Sequence, residues 1–443
     1  MWRLCDGKLR WRASAALLAG CVLLLSACGS RGAVSTMASS APSVTPLPTP
    51  AAPPAGALLW TPVLLPATQP PALGGGFQAQ GPTLGLAQSD SATAYVCVAA
   101  ADSSHARVLT WVTRDRGATW QSGADITVSI GSPIEVIGCQ IIVDSEQATT
   151  AVAQVGYLPA GGCVPAVDCV DYVLYLTTDA GRHWATLHGP QQTLAEIATR
   201  GQLTYALFRS PPRSASIPAM TFAVSNDNRR TWKPVPGVAS DTAAPVPELG
   251  GGRVYNFWLN PISGALLVMT SNGFINQQTF LTSTDGGAKW TTLAAPPFPF
   301  ETYDIAVQQP FTAQPWRICG GDPASETIGG VQQNTHMDEL ACTPDGGAHW
   351  VTYHLNVPNT LGGANPDYTL VGIADDGALL LTTPSGLARY TDGSPSMQAL
   401  GPAPNGGLTQ YAAGQGAGAL WSAPEGGYAN PDSQQRIFTG SYA

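Results

Sequence analysis

The chain opens with one long apolar run, Ala13–Leu25, and no later run matches it. Arg3, Lys8, Arg10 and Arg12 come before it. From Leu58 onward the hydrophobic positions break into short runs of Val, Ile, Leu, Tyr and Thr, separated by Gly, Pro, Asn and Asp. Short β-branched and aromatic runs between turn formers predict strands. Between these regimes, residues 29–56 are rich in Ala, Ser, Thr and Pro, as in Pro42–Pro48. Such a segment buries no core and predicts an extended spacer, reaching on the order of 80–90 Å at ~3.1 Å per residue.

The leading run has 13 residues, too few for a spanning helix, which needs ~20. With its positive flank it reads as a secretory signal. It ends in Leu25-Ser26-Ala27-Cys28. Small residues before a cysteine at this place resemble a bacterial lipoprotein lipobox. The resemblance implies removal of residues 1–27, lipid on Cys28, and a protein held to the extracytoplasmic side of the bacterial cell membrane. The predicted organisation is therefore a lipoprotein signal peptide over 1–27, a lipidated tether over 28–57, and one all-β domain over 58–443.

One motif recurs through that domain. It reads Thr113-Arg-Asp115-Arg-Gly117-Ala-Thr-Trp120, then Thr177-Thr-Asp179-Ala-Gly181-Arg-His-Trp184. The third copy is Ser225-Asn-Asp227-Asn-Arg229-Arg-Thr-Trp232, the fourth Ser283-Thr-Asp285-Gly-Gly287-Ala-Lys-Trp290, and the fifth Thr343-Pro-Asp345-Gly-Gly347-Ala-His-Trp350. Successive copies start 48–64 residues apart. A period of this size, with several strands in each, predicts a single β-propeller. The mean spacing favours seven blades, with six as the alternative. Six blades group as 84–126, 134–187, 194–235, 254–293, 303–354 and 368–400, the last with a decayed box around Tyr390-Thr-Asp392-Gly393. Leu58–Val63 resembles a strand that follows a box. It is expected to close the last blade as its outer strand, beside runs within 408–443, which removes the open edges.

The motif resembles the Asp-box, or bacterial neuraminidase repeat, Ser/Thr-x-Asp-x-Gly-x-x-Trp. Propellers of sialidases, of photosystem II assembly factor-like proteins and of sortilin type carry such boxes, and the likeness here rests on the repeat alone. In this motif the Asp carboxylate accepts amides of its own turn. The Gly supplies a left-handed backbone, and the Trp packs beneath. Asp115, Asp179, Asp227, Asp285 and Asp345, with Trp120, Trp184, Trp232, Trp290 and Trp350, are thus expected to be structural. Arg229 stands where Gly belongs, so the third box is expected to be the weakest turn.

Cys5 and Cys21 leave with the signal, which keeps six cysteines besides Cys28. An even count in an exported chain reads as disulfides, with 15 connectivities possible. Locality favours Cys163–Cys169, Cys319–Cys342 and Cys97–Cys139. A zinc site is the rival, but Cys-x5-Cys is not a usual zinc spacing.

Composition narrows the function. Only 11% of residues are charged, against roughly 25% in an average soluble protein. The net charge is −9 and the only lysines are Lys8, Lys233 and Lys289. This disfavours helical bundles and nucleic acid as a partner. No His-x-x-x-His, phosphate loop or nucleophile elbow occurs, so neither metal nor cofactor is expected. The sialidase resemblance implies a separate site of three arginines, a Tyr–Glu pair and an acid. The family's Arg-Ile-Pro motif is missing. Arg253, Arg317, Arg389 and Tyr303, the last within Glu301-Thr-Tyr303-Asp304, are the available candidates. Trp111, Trp258, Trp316 and Trp421 lie outside boxes and read as core before sugar platforms. The leading expectation is a non-catalytic binding or scaffold module for protein or glycan, with the Cys163–Cys169 loop as a candidate contact. The alternative is a sialidase-like exo-glycosidase.

Overall fold

Strands that are apolar on both faces require cover on both faces. Leu203–Arg209 reads LTYALFR, buried at its five central positions and exposed only at its ends. Met220–Ser225 beside it is buried at every position but one. The computed structural model supplies that cover. It describes residues 58–63, 83–86, 90, 92–101, 106–128, 135–158, 170–191, 193–210, 220–238, 253–271, 278–298, 300, 305–308, 316–321, 324–328, 331–336, 339–354, 369–374, 376–383, 386–391, 397–401, 408–412, 419–423 and 437–442.

Among these residues every regular element is a strand. The strands form a series of antiparallel sheets that follow the chain. Sheet one holds Thr83–Leu86, Ala94–Ala101, Ala106–Thr113 and Gln121–Ser122, with Ile126–Thr127 also paired to its third strand. Sheet two holds Glu135–Val143, Ala151–Leu158, Asp171–Thr177 and Ala185–Leu187. Sheet three holds Thr193–Arg200, Leu203–Arg209, Met220–Ser225 and Lys233–Pro234. Sheet four holds Arg253–Leu259, Leu266–Ser271, Gln278–Ser283 and Thr291–Thr292. Sheet five holds Ile305–Gln308, Arg317–Gly321, Glu339–Thr343 and Val351–His354, and a hairpin of Ala324–Ile328 and Val331–His336 is inserted before its third strand. Sheet six holds Thr369–Ile373, Leu379–Thr383, Gly386–Tyr390 and Gln398–Gly401.

The last sheet holds Leu408–Ala412, Ala419–Ala423 and Ile437–Tyr442, and its fourth strand is Leu58–Val63. Leu58 pairs with Tyr442 and Val63 with Ile437. The first strand of the domain therefore completes the sheet that the end of the chain begins, as its sequence pattern predicts.

From sheet one to sheet six, each sheet packs on the next through a shared apolar cluster. Tyr95 and Val112 meet Ile141 and Val155 between sheets one and two. Val152 and Leu174 meet Ile197 and Phe208 between two and three. Leu207 and Phe222 meet Phe257 and Val268 between three and four, with the Phe222 and Phe257 rings 4.8 Å apart. Met269 and Phe280 meet Phe300 and Ile318 between four and five, and Leu340 meets Leu370 and Leu381 between five and six. Burying one such side chain is worth ~1.5–3 kcal/mol, so these seams dominate stability. Sheets stacked serially by both faces are the layout of a β-propeller.

Two disulfides lie within the described residues. Cys97–Cys139 ties sheet one to sheet two across 6.2 Å between Cα atoms. Cys319–Cys342 joins directly paired residues within sheet five, 4.1 Å apart at Cα. Cys163 and Cys169 lie outside the described residues.

Candidate functional site

Register fixes where each motif sits. Leu259 at the end of the first strand of sheet four pairs with Leu266, and Leu266 pairs with Ser283 at the start of the fourth box. The box and the turn between the first two strands therefore share one end of the sheet, here the box end. The sheet four turn at that end spans only 260–265, and sheet three needs only 201–202. At the opposite end several connections are longer, as at 159–170, 210–219, 235–252 and 355–368, while 102–105 and 384–385 are short.

The five boxes are one turn built five times. The Thr113, Thr177, Ser225, Ser283 and Thr343 hydroxyls donate to the box Asp Oδ1 at 2.8–3.0 Å. The same hydroxyls accept the backbone N–H four residues on at 2.6–2.9 Å. The Asp Oδ1 accepts the N–H of the residue before the Trp at 2.8–3.0 Å. This wrapping requires two successive left-handed residues, with φ between 58° and 93° in all five copies. The bonds hold every box carboxylate below its usual range. Asp179, Asp227 and Asp345 fall to about 2, chiefly through His183, Thr231 and His349 respectively. Asp115 and Asp285 are lowered by Thr119 and Lys289. His183 and His349 are exposed at their sides, yet each places Nδ1 2.6 Å from its box carboxylate. Each box carboxylate is thus tied through Oδ1 into its own turn.

The boxes also reach the preceding sheet, which the motif alone does not reveal. Trp290 Nε1 donates to the Pro236 carbonyl at 2.9 Å, and Trp350 Nε1 to the Ala294 carbonyl at 2.8 Å. Ala124 N donates to the Gly181 carbonyl, and Ala294 N to the Gly347 carbonyl. A Cβ on Gly287 would stand 2.5 Å from Val235, and one on Gly347 would stand 2.5 Å from Leu293. Box glycines thus serve a seam as well as a turn.

The third box keeps the same turn bonds but departs from this pattern at the glycine position. Arg229 accepts φ of 66° and sends its guanidinium into the seam between sheets two and three. The residue is 7% exposed, and its Nη2 donates to Thr199 Oγ1 at 2.9 Å and stands 3.9 Å from Asp144 Oδ2. Asp144 is fully buried, and its Oδ1 accepts the amides of Glu146, Gln147 and Thr199. Burial pushes this carboxyl up, opposed by those hydrogen bonds and by Arg229. Removal from water also pushes Glu146 and Glu196 up to about 8, each raised further by the neighbouring carboxyls. The sequence reading missed this group. Two signals carried it: an arginine in a glycine position, and a single acid inside the apolar strand Thr193–Arg200 (TLAEIATR).

The three candidate arginines do not come together. Arg317 opens the second strand of sheet five, at the box end, with its guanidinium against Gly377 of the next sheet. Arg389 lies near the same end and pairs with Asp376. Arg253 opens the first strand of sheet four, at the opposite end. Its side chain, all of Tyr303, Glu301 and Asp304, and the side chain of Trp421 lie outside what is described. Trp111, Trp258 and Trp316 are 5–6% exposed and belong to the apolar clusters. Among the described residues, no group of three or more His, Cys, Asp or Glu is placed to hold a metal ion.

The chain matches no family model and no curated protein. Solved structures with a similar backbone include a Hadza microbial sialidase, at 12% identity and a TM-score of 0.40, covering 82% of this chain and 66% of that one. A Trypanosoma rangeli sialidase shows 13% identity and a TM-score of 0.36, covering 71% and 53%. An α-L-arabinofuranosidase from Fusarium graminearum shows 10% identity and a TM-score of 0.42, covering 87% and 97%. This chain spans about half to two thirds of the length of the two sialidases. Likeness at this level says nothing of substrate.

Proposed function

We propose that this chain is an exported lipoprotein, anchored through Cys28, whose seven sheets form the blades of one propeller and whose long-connection end recognises carbohydrate. The observation that carries the reading is the segregation of the two ends. The box end is occupied by short turns whose polar groups bond to each other and to the preceding sheet. The opposite end gathers the long connections, and loops on a rigid scaffold are where recognition concentrates. Carbohydrate is the ligand class common to the binding and the hydrolytic readings.

Hydrolysis, the activity in the names of the fold neighbours, is the second reading. It calls for an acid and a nucleophile at the long-connection end. Arg253 is the one described candidate at that end; Arg317 and Arg389 belong to the other. Incubating the full chain carrying Cys28→Ala with a glycan array and with sialoside, arabinoside and xyloglucan substrates separates the readings. Saturable binding without turnover supports the platform. Turnover lost on Arg253→Ala promotes the hydrolase, and neither binding nor turnover rejects both. The anchor is tested by mass spectrometry of the mature N-terminus, where an unmodified terminus other than Cys28 rejects it.

A further inference from the structure

The turn 144–150 of sheet two lies across the first strand of sheet three. Ser145 N donates to the Ile197 carbonyl at 3.1 Å, and Thr199 N donates back to Asp144 Oδ1 at 3.0 Å. These two bonds run antiparallel, so Glu146, next along the turn, is set beside Glu196, next along the strand. Glu196 sits at the irregularity in that strand's pairing, between Leu194 and Glu196, where a bulge re-aims the side chain. We propose that this seam is a proton-gated latch: Glu146 and Glu196 hold the 144–150 turn on sheet three while they carry protons, and drive it off when both ionise.

The charges facing the pair are few. From the turn come Glu146 and the buried Asp144. From the third box comes Arg229, which is engaged with Asp144 and Thr199. From the second strand of sheet three, Thr204 meets Thr199 at 3.1 Å, while Tyr205 donates toward the Gly286 carbonyl of sheet four. Arg200 also turns away, donating to the Pro261 and Ile262 carbonyls. One buried cation therefore faces three carboxyls, so full ionisation leaves uncompensated negative charge at the seam. Two glutamates held at about 8 in the folded seam, against an ordinary value of 4.5, retain protons that the opened turn releases. Stability at the seam is then complete at mildly acid pH, declines as pH rises from about 4.5, and is lost above about 8.

The test is hydrogen exchange by mass spectrometry on the full chain carrying Cys28→Ala, at pH 6 and pH 9, corrected for intrinsic rates. Peptides covering 144–150 and 193–200 are expected to lose protection by about tenfold or more at pH 9. Peptides from sheet five should not change. Glu196→Gln and Glu146→Gln should each reduce the loss of protection at pH 9, and the double variant should abolish it; the two single variants report independently, so that misfolding of one leaves the other decisive. Equal protection at pH 6 and 9 in the parent chain overturns the latch. So does a pH response that is undiminished in both single glutamine variants.

Discussion

The third and fourth boxes share a hydroxyl, a carboxylate and two left-handed residues, yet they meet their neighbours in opposite ways. In the fourth, Gly287 lets Val235 of the preceding sheet close to within van der Waals reach, and Trp290 donates into the same seam. In the third, Arg229 spends backbone strain of roughly 1–2 kcal/mol and fills the seam with a guanidinium that a buried Asp144 needs. One seam is closed by shape, the other by charge. A motif can therefore keep its turn chemistry constant while the contact between sheets is rewritten at a single position.

The sharpest way to break the comparison is Arg229→Gly, which makes box three resemble box four. Strain is relieved, but Asp144 keeps a buried charge without its cation. Breaking such a pair typically costs ~3–5 kcal/mol, so a clear drop in the denaturant midpoint is expected. A stabilised variant would show Arg229 to be a tolerated defect. Next in size is removal of Cys97–Cys139, which spans a seam and closes a loop of 42 residues; replacing both with Ser should cost ~2–4 kcal/mol. The same change at Cys319–Cys342, which closes 23 residues inside one sheet, should cost less.

Ser225→Ala and Ser283→Ala probe what the two boxes share. Each hydroxyl is buried and satisfies a backbone N–H, so each loss should cost ~1–3 kcal/mol, and the two should agree. Unequal losses in chemical denaturation would mean that the arginine has altered the turn itself. The smallest effect is on the acid side. Box carboxylates have folded values below their ordinary 3.8, so their contribution is present above that pH and fades as pH falls toward about 2. Asp227→Asn should flatten the fall in melting temperature between pH 4 and 2. The latch between sheets two and three has the reverse sign, so the parent chain should lose stability at both extremes.

Much of the architecture was legible because it is repetitive. Five boxes mark where a third strand ends and a fourth begins, and the pattern of Leu58–Val63 anticipated its pairing with the C-terminal strand. Of the two described disulfides, Cys319–Cys342 was legible from its place on adjacent strands beside the fifth box, and Cys97–Cys139 as the pair that remained. The seam between sheets two and three was not legible, since Asp144, Glu196 and Arg229 are far apart in sequence and only the packing of two sheets brings them to one place. The placement of the candidate arginines was not legible for a related reason. Composition says which arginines exist, whereas strand direction decides that Arg253 and Arg317 open strands at opposite ends.

The pairing of Leu58 with Tyr442 also constrains how the chain reaches its native state. It is the most distant strand pairing in sequence among the described residues, and contacts of that kind form late and slowly. During synthesis the first strand emerges long before its partner exists. The six preceding sheets can form from local hairpins meanwhile, but the last cannot be completed until Ile437–Tyr442 has left the ribosome. An apolar strand must therefore wait unpaired for nearly the whole journey. The same pairing makes the domain a proofreading device for its own completeness, since a chain truncated before Ile437 leaves Leu58–Val63 as an open edge for proteases and for other copies.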